Sequence, residues 1–79
     1  MEIIIGLPAF NEEKNIASLI IEIQKLGYKV LVCDDHSSDN TGEISKKLGA
    51  IVERHSRNLG YGGSIQTLFS KSRELNADI

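Results

Sequence analysis

Apolar residues along the chain form three short unbroken runs. They span Glu2 to Leu7, Lys29 to Cys33, and Ala50 to Val52 with Arg54 as the furthest extent of the last run. A run without alternation of apolar and polar positions is typical of a strand that is covered on both faces of a parallel sheet. The pattern therefore predicts three buried strands, the first of which ends at Pro8 because proline has no N–H to donate within a central strand.

Each predicted strand is followed by apolar residues at helical spacing. Asn11 is a candidate N-cap of the first helix, with Glu12 and Glu13 suited to the positive end of the helix dipole, and Gly27 is its expected C-cap. The apolar stripes of the three helices are Ile16, Leu19, Ile20, Ile23 and Leu26; then Ile44 and Leu48; then Ile65, Leu68, Phe69, Ser72 and Leu75.

The second and third helices have their own boundary signals. Asn40 and Glu43 have the spacing of a capping box, which predicts a helix from about Thr41 to Leu48 that ends at Gly49. The stretch from His55 to Gly63 is predicted to be the longest irregular segment, and Ile79 is a candidate first residue of a fourth strand.

Strands and helices that alternate in this order predict an α/β fold with a parallel sheet. We expect a three-layer α/β/α sandwich of Rossmann type, of which the N-terminal half is present, so that residues 1–79 form a single partial domain.

Composition excludes several classes of function. A formal net charge of −2 with few aromatic residues gives no electrostatic basis for nucleic-acid binding, and no run approaches the ~20 apolar residues of a membrane-spanning helix. The single cysteine, Cys33, allows no internal disulfide and fits a reducing, cytoplasmic compartment.

Three stretches are candidates for a binding site. In the first, from Pro8 to Glu12, Phe10 could contact a planar base and Glu12 could accept hydrogen bonds from its N–H groups; the alternative is a plain turn before a capped helix. In the second, Asp34 and Asp35 lie where Rossmann folds hold a ribose hydroxyl, and they could instead bind a base edge, bind a metal, or satisfy backbone N–H groups of a solvated turn.

The third stretch is the glycine-rich segment from Arg57 to Gly63 at the start of a helix. Its backbone N–H groups could receive phosphate oxygens next to the positive charge of Arg57, or its glycines could serve turns and close helix packing. No G-x-G-x-x-G follows the first strand, which argues against an NAD enzyme. His36 and His55 are interpreted as ordinary loop residues, and Cys33 as a small buried hydrophobe.

The order and spacing of these stretches closely resemble the start of the inverting family 2 glycosyltransferases, above all the polyprenyl-phosphate branch such as dolichyl-phosphate mannosyltransferase. The resemblance rests on Leu-Pro-Ala-Phe-Asn-Glu-Glu, Val-Cys-Asp-Asp-His-Ser-Ser-Asp-Asn-Thr and Arg-Asn-Leu-Gly-Tyr-Gly-Gly, and it covers essentially the whole chain. It implies the GT-A fold and a nucleotide-binding site, with no catalytic residue and no metal ligand within this chain. The nucleotide-binding residues it implies are Pro8, Ala9, Phe10, Glu12, Cys33, Asp34, Asp35, Asn58 and Gly60.

Two departures from the family pattern stand out. His36 occupies a position where glycine is frequent, and histidine is among the residues that tolerate a positive φ. The family's Asp-x-Asp motif, which binds Mg²⁺ or Mn²⁺, follows the fourth strand, and its catalytic base comes later still. We therefore expect no tightly bound metal in this chain.

The resemblance implies transfer of a hexose from a GDP- or UDP-sugar to an acceptor, with a membrane-borne polyprenyl (dolichyl) phosphate as the implied acceptor at the cytoplasmic face of a membrane. The chain alone is expected to be catalytically incomplete. The alternative is a non-catalytic nucleotide-binding or assembly module. A reading frame that continues into an Asp-x-Asp strand would favour the glycosyltransferase, and one that stops would favour the module. In this fold the first strand would present an unpaired apolar edge, so a homo-oligomer is predicted.

Overall fold

A computed structural model describes residues 3–75 and shows three strands and three helices in alternation. The elements are β1 (Ile4–Ala9), α1 (Ile16–Lys25), β2 (Lys29–Asp34), α2 (Thr41–Lys47), β3 (Ile51–Arg54) and α3 (Gly60–Glu74). The predicted element at Ile79 lies outside the described residues.

The three strands form one parallel sheet in the order β1-β2-β3. The register pairs Asp34 with Ala9 on one side and with Arg54 on the other, so the carboxyl ends of all three strands lie side by side. This arrangement confirms the predicted parallel α/β sheet.

The core lies in two layers, one on each face of the sheet. On one face α1 and α2 pack through Ile16, Ile20 and Ile44 against Val30, Val32 and their neighbours. On the other face α3 packs through Leu68 and Ile65 against Ile4, Leu31 and Cys33. The sheet is thus covered on both faces, as its unbroken apolar strands predicted, and the architecture is the expected three-layer sandwich.

The first strand does not end at Pro8, as predicted, but continues to Ala9. The carbonyls of Ile3 and Ala9 accept hydrogen bonds from the amides of Lys29 and Asp35. The backbone N–H and C=O groups of the odd-numbered residues of β1 therefore point toward β2. The backbone groups of alternate residues in a parallel strand bond to opposite sides. The backbone nitrogen of Pro8 therefore points toward the side of β1 that has no neighbouring strand among the described residues. The missing N–H therefore breaks no hydrogen bond of the described sheet.

The predicted start of the first helix is wrong. Helix α1 begins at Ile16 with Asn15 as its N-cap residue, and Asn11 instead has a φ of 52° and bonds to the loop after β2. A turn in which the Glu12 carbonyl accepts from the amides of Asn15 and Ile16 separates Asn11 from the helix. The predicted stop is right, because Gly27 has a φ of 88°.

Helix α2 begins at Thr41 as predicted, but its capping bonds and the start of α3 differ from the sequence prediction. Asn40 is the N-cap residue of α2 but makes no side-chain capping bond, so the capping box does not form. Instead, the Thr41 amide donates to the Asp39 carboxylate at 3.0 Å. Helix α3 begins at Gly60, inside the segment that was predicted to be irregular.

The helical stripes are buried only in part. Ile16, Ile20 and Leu68 are buried, whereas Leu19, Leu26 and Phe69 are exposed; Leu26 is 72% exposed and Phe69 57%. Leu19 lines an open cleft beside Leu7 and Pro8, at the unpaired side of β1. Exposed apolar surface therefore adjoins that strand edge at Leu19.

Candidate functional site

The candidate site lies where the three strands end. The loops that follow β1, β2 and β3 start from adjacent positions, because Asp35 donates its amide to the Ala9 carbonyl and His55 donates its amide to the Asp34 carbonyl, each at 2.9 Å. The carboxyl edge of a parallel sheet is the usual place for a ligand in an open α/β fold. All three sequence stretches are brought together at this edge.

The loops after β1 and β2 are joined by reciprocal hydrogen bonds. The Asn11 amide donates to Ser37 Oγ at 2.9 Å, and the Ser38 amide donates to Asn11 Oδ1 at 2.9 Å. The Glu12 amide donates to Thr41 Oγ1 at 2.8 Å, and Thr41 Oγ1 in turn contacts Asp39 Oδ1. The polar residues of the second loop thus hold the first loop in place, which sequence reasoning did not foresee.

Asp34 is buried at this edge, and each of its two carboxylate oxygens accepts a hydrogen bond from a protein donor. Its Oδ1 accepts from the Ser37 amide at 3.0 Å, and its Oδ2 accepts from Arg54 Nη1 at 2.8 Å. Arg54 Nη2 also donates to the Ser37 carbonyl, so one guanidinium holds both the buried carboxylate and its loop. A Cβ atom on Gly42 would lie 2.6 Å from Asp34 Oδ2, which requires glycine there. Asp34 therefore supports the loop from within.

Asp35 points to the opposite face of the sheet and forms the cap of α3. Its Oδ1 accepts from the Leu59 amide at 2.7 Å and from His55 Nδ1 at 2.7 Å, and its Oδ2 accepts from the Gly60 amide at 2.9 Å. The hydrogen bonds from His55 and Leu59 lower the pKa of this carboxyl group. The carboxylate satisfies the first free amides of the helix, and this long-range cap explains why α3 begins at Gly60.

This arrangement changes the interpretation of the glycine-rich segment. The amides of Leu59 and Gly60, which could have received phosphate oxygens, donate to Asp35 instead. Gly60 has a φ of 79°, and a Cβ on Gly63 would lie 2.6 Å from the Leu59 Cβ. These glycines serve a turn and close packing at the start of the helix.

His55 is the residue that sequence reasoning missed. It was interpreted as an ordinary loop residue, yet it is 8% exposed, and its two ring nitrogens lie 2.7 Å from Asp35 Oδ1 and 2.7 Å from Thr67 Oγ1. The signal was its place directly after the third strand, because the parallel register sets that position beside the end of β2. His36, with a φ of 62°, adopts the positive φ that the glycine-to-histidine departure suggested.

The residues of the predicted site differ in how far they reach the surface. Phe10 is 49% exposed. Pro8, Glu12 and Asn58 are exposed, and Asn58 Nδ2 donates to the Asp35 carbonyl at 3.3 Å. Pro8, Ala9 and Glu12 line the open cleft beside α1. Pro8, Phe10, Glu12 and Asn58 form the accessible part of the candidate site.

Ala9, Cys33 and Asp34 are buried, and Asp35 is 4% exposed. The Cys33 side chain lies in the core under α3, where burial raises the pKa of its thiol. Cys33 and Asp34 therefore lie beneath the accessible residues of the candidate site, whereas Asp35 lies at the boundary between the buried and the accessible residues.

The acidic pair does not fit a divalent metal ion. The Asp34 carboxylate is paired with Arg54, and the Asp35 carboxylate accepts three protein hydrogen bonds. Within residues 3–75 no group of three or more His, Cys, Asp or Glu side chains could hold a metal. Nor does any helix in that range have the length and apolar character needed to cross a membrane.

Comparison with protein families gives one extended match. The sequence model described as glycosyl transferase family 2 matches residues 4–74. An uncharacterized protein of Methanocaldococcus jannaschii is 51% identical over 67 residues, which cover 84% of this chain and 28% of that protein. No solved structure matches significantly.

Two relatives have names that state an activity. A UDP-N-acetylglucosamine–dolichyl-phosphate N-acetylglucosaminyltransferase of Methanococcus voltae is 34% identical over 92% of this chain and 36% of its own length. A dolichyl-phosphate hexose transferase of Haloferax volcanii is 32% identical over 82% of this chain and 29% of its own length. The chain thus spans about a third of the length of the curated relatives it matches.

Proposed function

The chain belongs to glycosyl transferase family 2, and from this we propose that it is the sugar-nucleotide-binding part of an inverting glycosyltransferase. The proposed donor is a GDP- or UDP-hexose, and the proposed acceptor is a polyprenyl (dolichyl) phosphate. The reaction is a direct displacement at the anomeric carbon of the sugar, with the nucleoside diphosphate as the leaving group.

One observation carries the proposal. The three strand-end loops that match the family's nucleotide-binding motifs converge on a single edge of the sheet, where exposed Phe10 lies in the loop that Ser37 and Thr41 hold in place. A half-exposed ring on a fixed loop is suited to contact the face of a nucleobase. The names of the two relatives support a dolichyl phosphate acceptor, and one of them supports a UDP-sugar donor.

Each accessible residue has a proposed role. The Phe10 ring packs on the base, and the Glu12 carboxylate accepts a hydrogen bond from the nucleoside. Asn58 holds the loop after β3 against the Asp35 backbone, close to the bound nucleotide. Asp35 offers a carboxylate oxygen at the boundary of the site.

A divalent ion, Mg²⁺ or Mn²⁺, would supply charge neutralisation of the departing diphosphate in the complete protein. The described residues do not provide its ligands, because no group of three or more His, Cys, Asp or Glu side chains among them could hold a metal ion. We therefore propose that the 79-residue chain binds nucleotide without catalysing transfer.

Calorimetric titration with UDP and with GDP tests the proposal, with Phe10→Ala as the diagnostic variant and Phe69→Ala as its matched control. Both rings are about half exposed, so neither variant should unfold the chain. Loss of a stacked base costs ~1–3 kcal/mol, so Phe10→Ala should bind roughly tenfold more weakly or worse, while Phe69→Ala binds like the wild type. Equal affinities of the two variants would contradict the assigned site.

Two further aspects are proposed with it. The unpaired edge of β1, with Leu7, Pro8 and Leu19 beside it, is proposed to pair with a second copy of the chain when the chain is studied alone. We propose that the complete protein works in the cytoplasm at the face of a membrane that carries the lipid phosphate.

A further inference from the structure

The buried His55 ring connects three elements of the fold. Its Nδ1 lies 2.7 Å from Asp35 Oδ1 after β2, and its Nε2 lies 2.7 Å from Thr67 Oγ1 on α3 and 3.5 Å from Cys33 Sγ within β2. No buried side-chain nitrogen or oxygen of the described residues lacks a hydrogen-bond partner. The ring is thus held on both sides, and it reaches a carboxylate at the boundary of the candidate site.

The donors and acceptors of this network follow from its chemistry. The pKa of Asp35 is lowered by its hydrogen bond from His55, so the carboxylate is ionised and can only accept. Nδ1 therefore carries a hydrogen. In the neutral ring Nε2 is then the acceptor, and the Thr67 hydroxyl donates to it.

One acceptor position on the Asp35 carboxylate is not used by the protein. An ionised carboxylate has about four lone-pair positions, of which Oδ1 uses two, for His55 and Leu59, while Oδ2 uses one, for Gly60. The remaining position is on Oδ2. The hydrogen bonds from His55, Leu59 and Gly60 together oppose rotation of the carboxylate about its bond to Cβ, and His55 supplies the side-chain contact among them, so the direction of the free Oδ2 lone pair is set.

We propose that His55 is a positioning residue that holds the Asp35 carboxylate so that Oδ2 accepts an N–H of the nucleobase. This inference rests on the proposed function, since it assigns part of the base recognition of the same site. It goes further in naming a residue that touches no ligand itself and acts through Asp35.

Two substitutions separate the two contacts of the ring. The side-chain amide of His55→Asn can occupy the place of Nδ1 and keep the bond to Asp35, whereas that of His55→Gln reaches the place of Nε2 and keeps the bond to Thr67. Each variant loses one hydrogen bond of the buried network. A merely structural role predicts similar losses of stability and of nucleotide affinity for both.

The test measures UDP and GDP affinity by calorimetry and stability by urea unfolding for the wild type and both variants. Because hydrogen bonds to charged groups are among the stronger ones, His55→Gln should bind the preferred nucleotide roughly tenfold more weakly, while His55→Asn stays within about threefold of the wild type. The amide resonances of Leu59 and Gly60 should shift in His55→Gln, because the carboxylate that they bond to has moved. Equal affinities of the two variants, or unshifted amides in His55→Gln, would overturn the inference.

A second measurement needs no variant. Long-range ¹H–¹⁵N correlation on the wild-type chain should show a hydrogen on His55 Nδ1, and an Nε2–H tautomer would overturn the inference. If the wild type binds neither nucleotide, the proposed function itself fails and the inference with it. If the wild type binds and His55→Gln binds as tightly, only the inference fails.

Discussion

Gly42 occupies a position in α2 that a single added methyl group would disrupt. A Cβ there would lie 2.6 Å from the buried Asp34 Oδ2, whereas a Cβ on Gly62, in α3, would meet no atom within 4 Å. Neither residue is among the glycines with a positive φ. Gly42→Ala should therefore destabilise the chain despite the ~1 kcal/mol that alanine normally gains over glycine in a helix, and Gly62→Ala should stabilise it by up to about that amount. Thermal or urea unfolding measures the stability of the two variants. Stabilisation by both substitutions would contradict the prediction, because it would show that the space beside Asp34 accommodates an added methyl group.

Arg54 is the residue that balances the buried charge of Asp34. Removing it leaves a carboxylate of 0% exposure with one remaining donor, the Ser37 amide. Loss of one partner of a fully buried pair costs ~3–5 kcal/mol, and because the Arg54 side chain is 48% exposed we expect roughly 1–3 kcal/mol for Arg54→Ala. Arg57→Ala, on an exposed residue of the loop after β3, is the control and should change the free energy of unfolding by less than about 0.5 kcal/mol. Similar losses in both variants would argue against the ion pair.

The start of α3 depends on Asp35, which gives stability a defined pH dependence. Its pKa is lower in the folded chain than in the unfolded chain, so its contribution is fully present above the unfolded pKa and is lost as the pH falls through the folded one. The wild type should therefore lose stability from about pH 5 downward, and Asp35→Asn should be less stable at neutral pH but show a flatter pH profile.

Urea unfolding between pH 7 and pH 3 measures this dependence. Glu12→Gln, which removes an exposed carboxylate, is the control and should leave the profile of the wild type unchanged. A profile for Asp35→Asn that runs parallel to the wild type would mean that another group controls acid stability.

The helices and strands themselves could be predicted, and so could the starts of β2 and α2, but the starts of α1 and α3 could not. Periodicity placed three strands and three helices in the correct order, because burial on both faces of a sheet leaves unbroken apolar runs. The starts of α1 and α3 were predicted wrongly because they depend on bonds between distant residues, Asn11 with Ser38 and Asp35 with Leu59 and Gly60. Such bonds leave no local pattern.

The convergence of the three candidate loops could be predicted, but their contacts with one another could not. The parallel order places all three loops at one edge, and the family resemblance named residues that lie there. Which carboxylate can still accept a hydrogen bond from a ligand depends on its protein partners. Only the fold brings these partners close, Arg54 to Asp34 and His55 to Asp35. For this reason the residue pattern alone gave Asp34 and Asp35 the same candidate roles, while the structure directs them to opposite faces of the sheet.

At the scale of the whole molecule, the free edge of β1 has exposed apolar surface beside it. Beside the edge of β1, Leu19 lines the cleft with Leu7 and Pro8 and is 45% exposed, whereas Ile21, 39% exposed on the same helix, does not line it. If two copies pair at this edge, sedimentation velocity should show a concentration-dependent dimer that Leu19→Lys abolishes and Ile21→Lys preserves. A monomer at all concentrations would contradict the proposed pairing.

The measurement that most directly tests nucleotide binding by this chain is a ¹⁵N-resolved NMR titration with UDP and with GDP, each with and without Mg²⁺. We expect changes in amide chemical shift at Ala9 and Phe10, from Cys33 to Asp35 and in the Asn58 loop. These changes should be larger for one nucleotide base than for the other and should not depend on Mg²⁺. An absence of shifts at millimolar nucleotide, or shifts confined to residues away from the carboxyl edge of the sheet, would contradict this expectation.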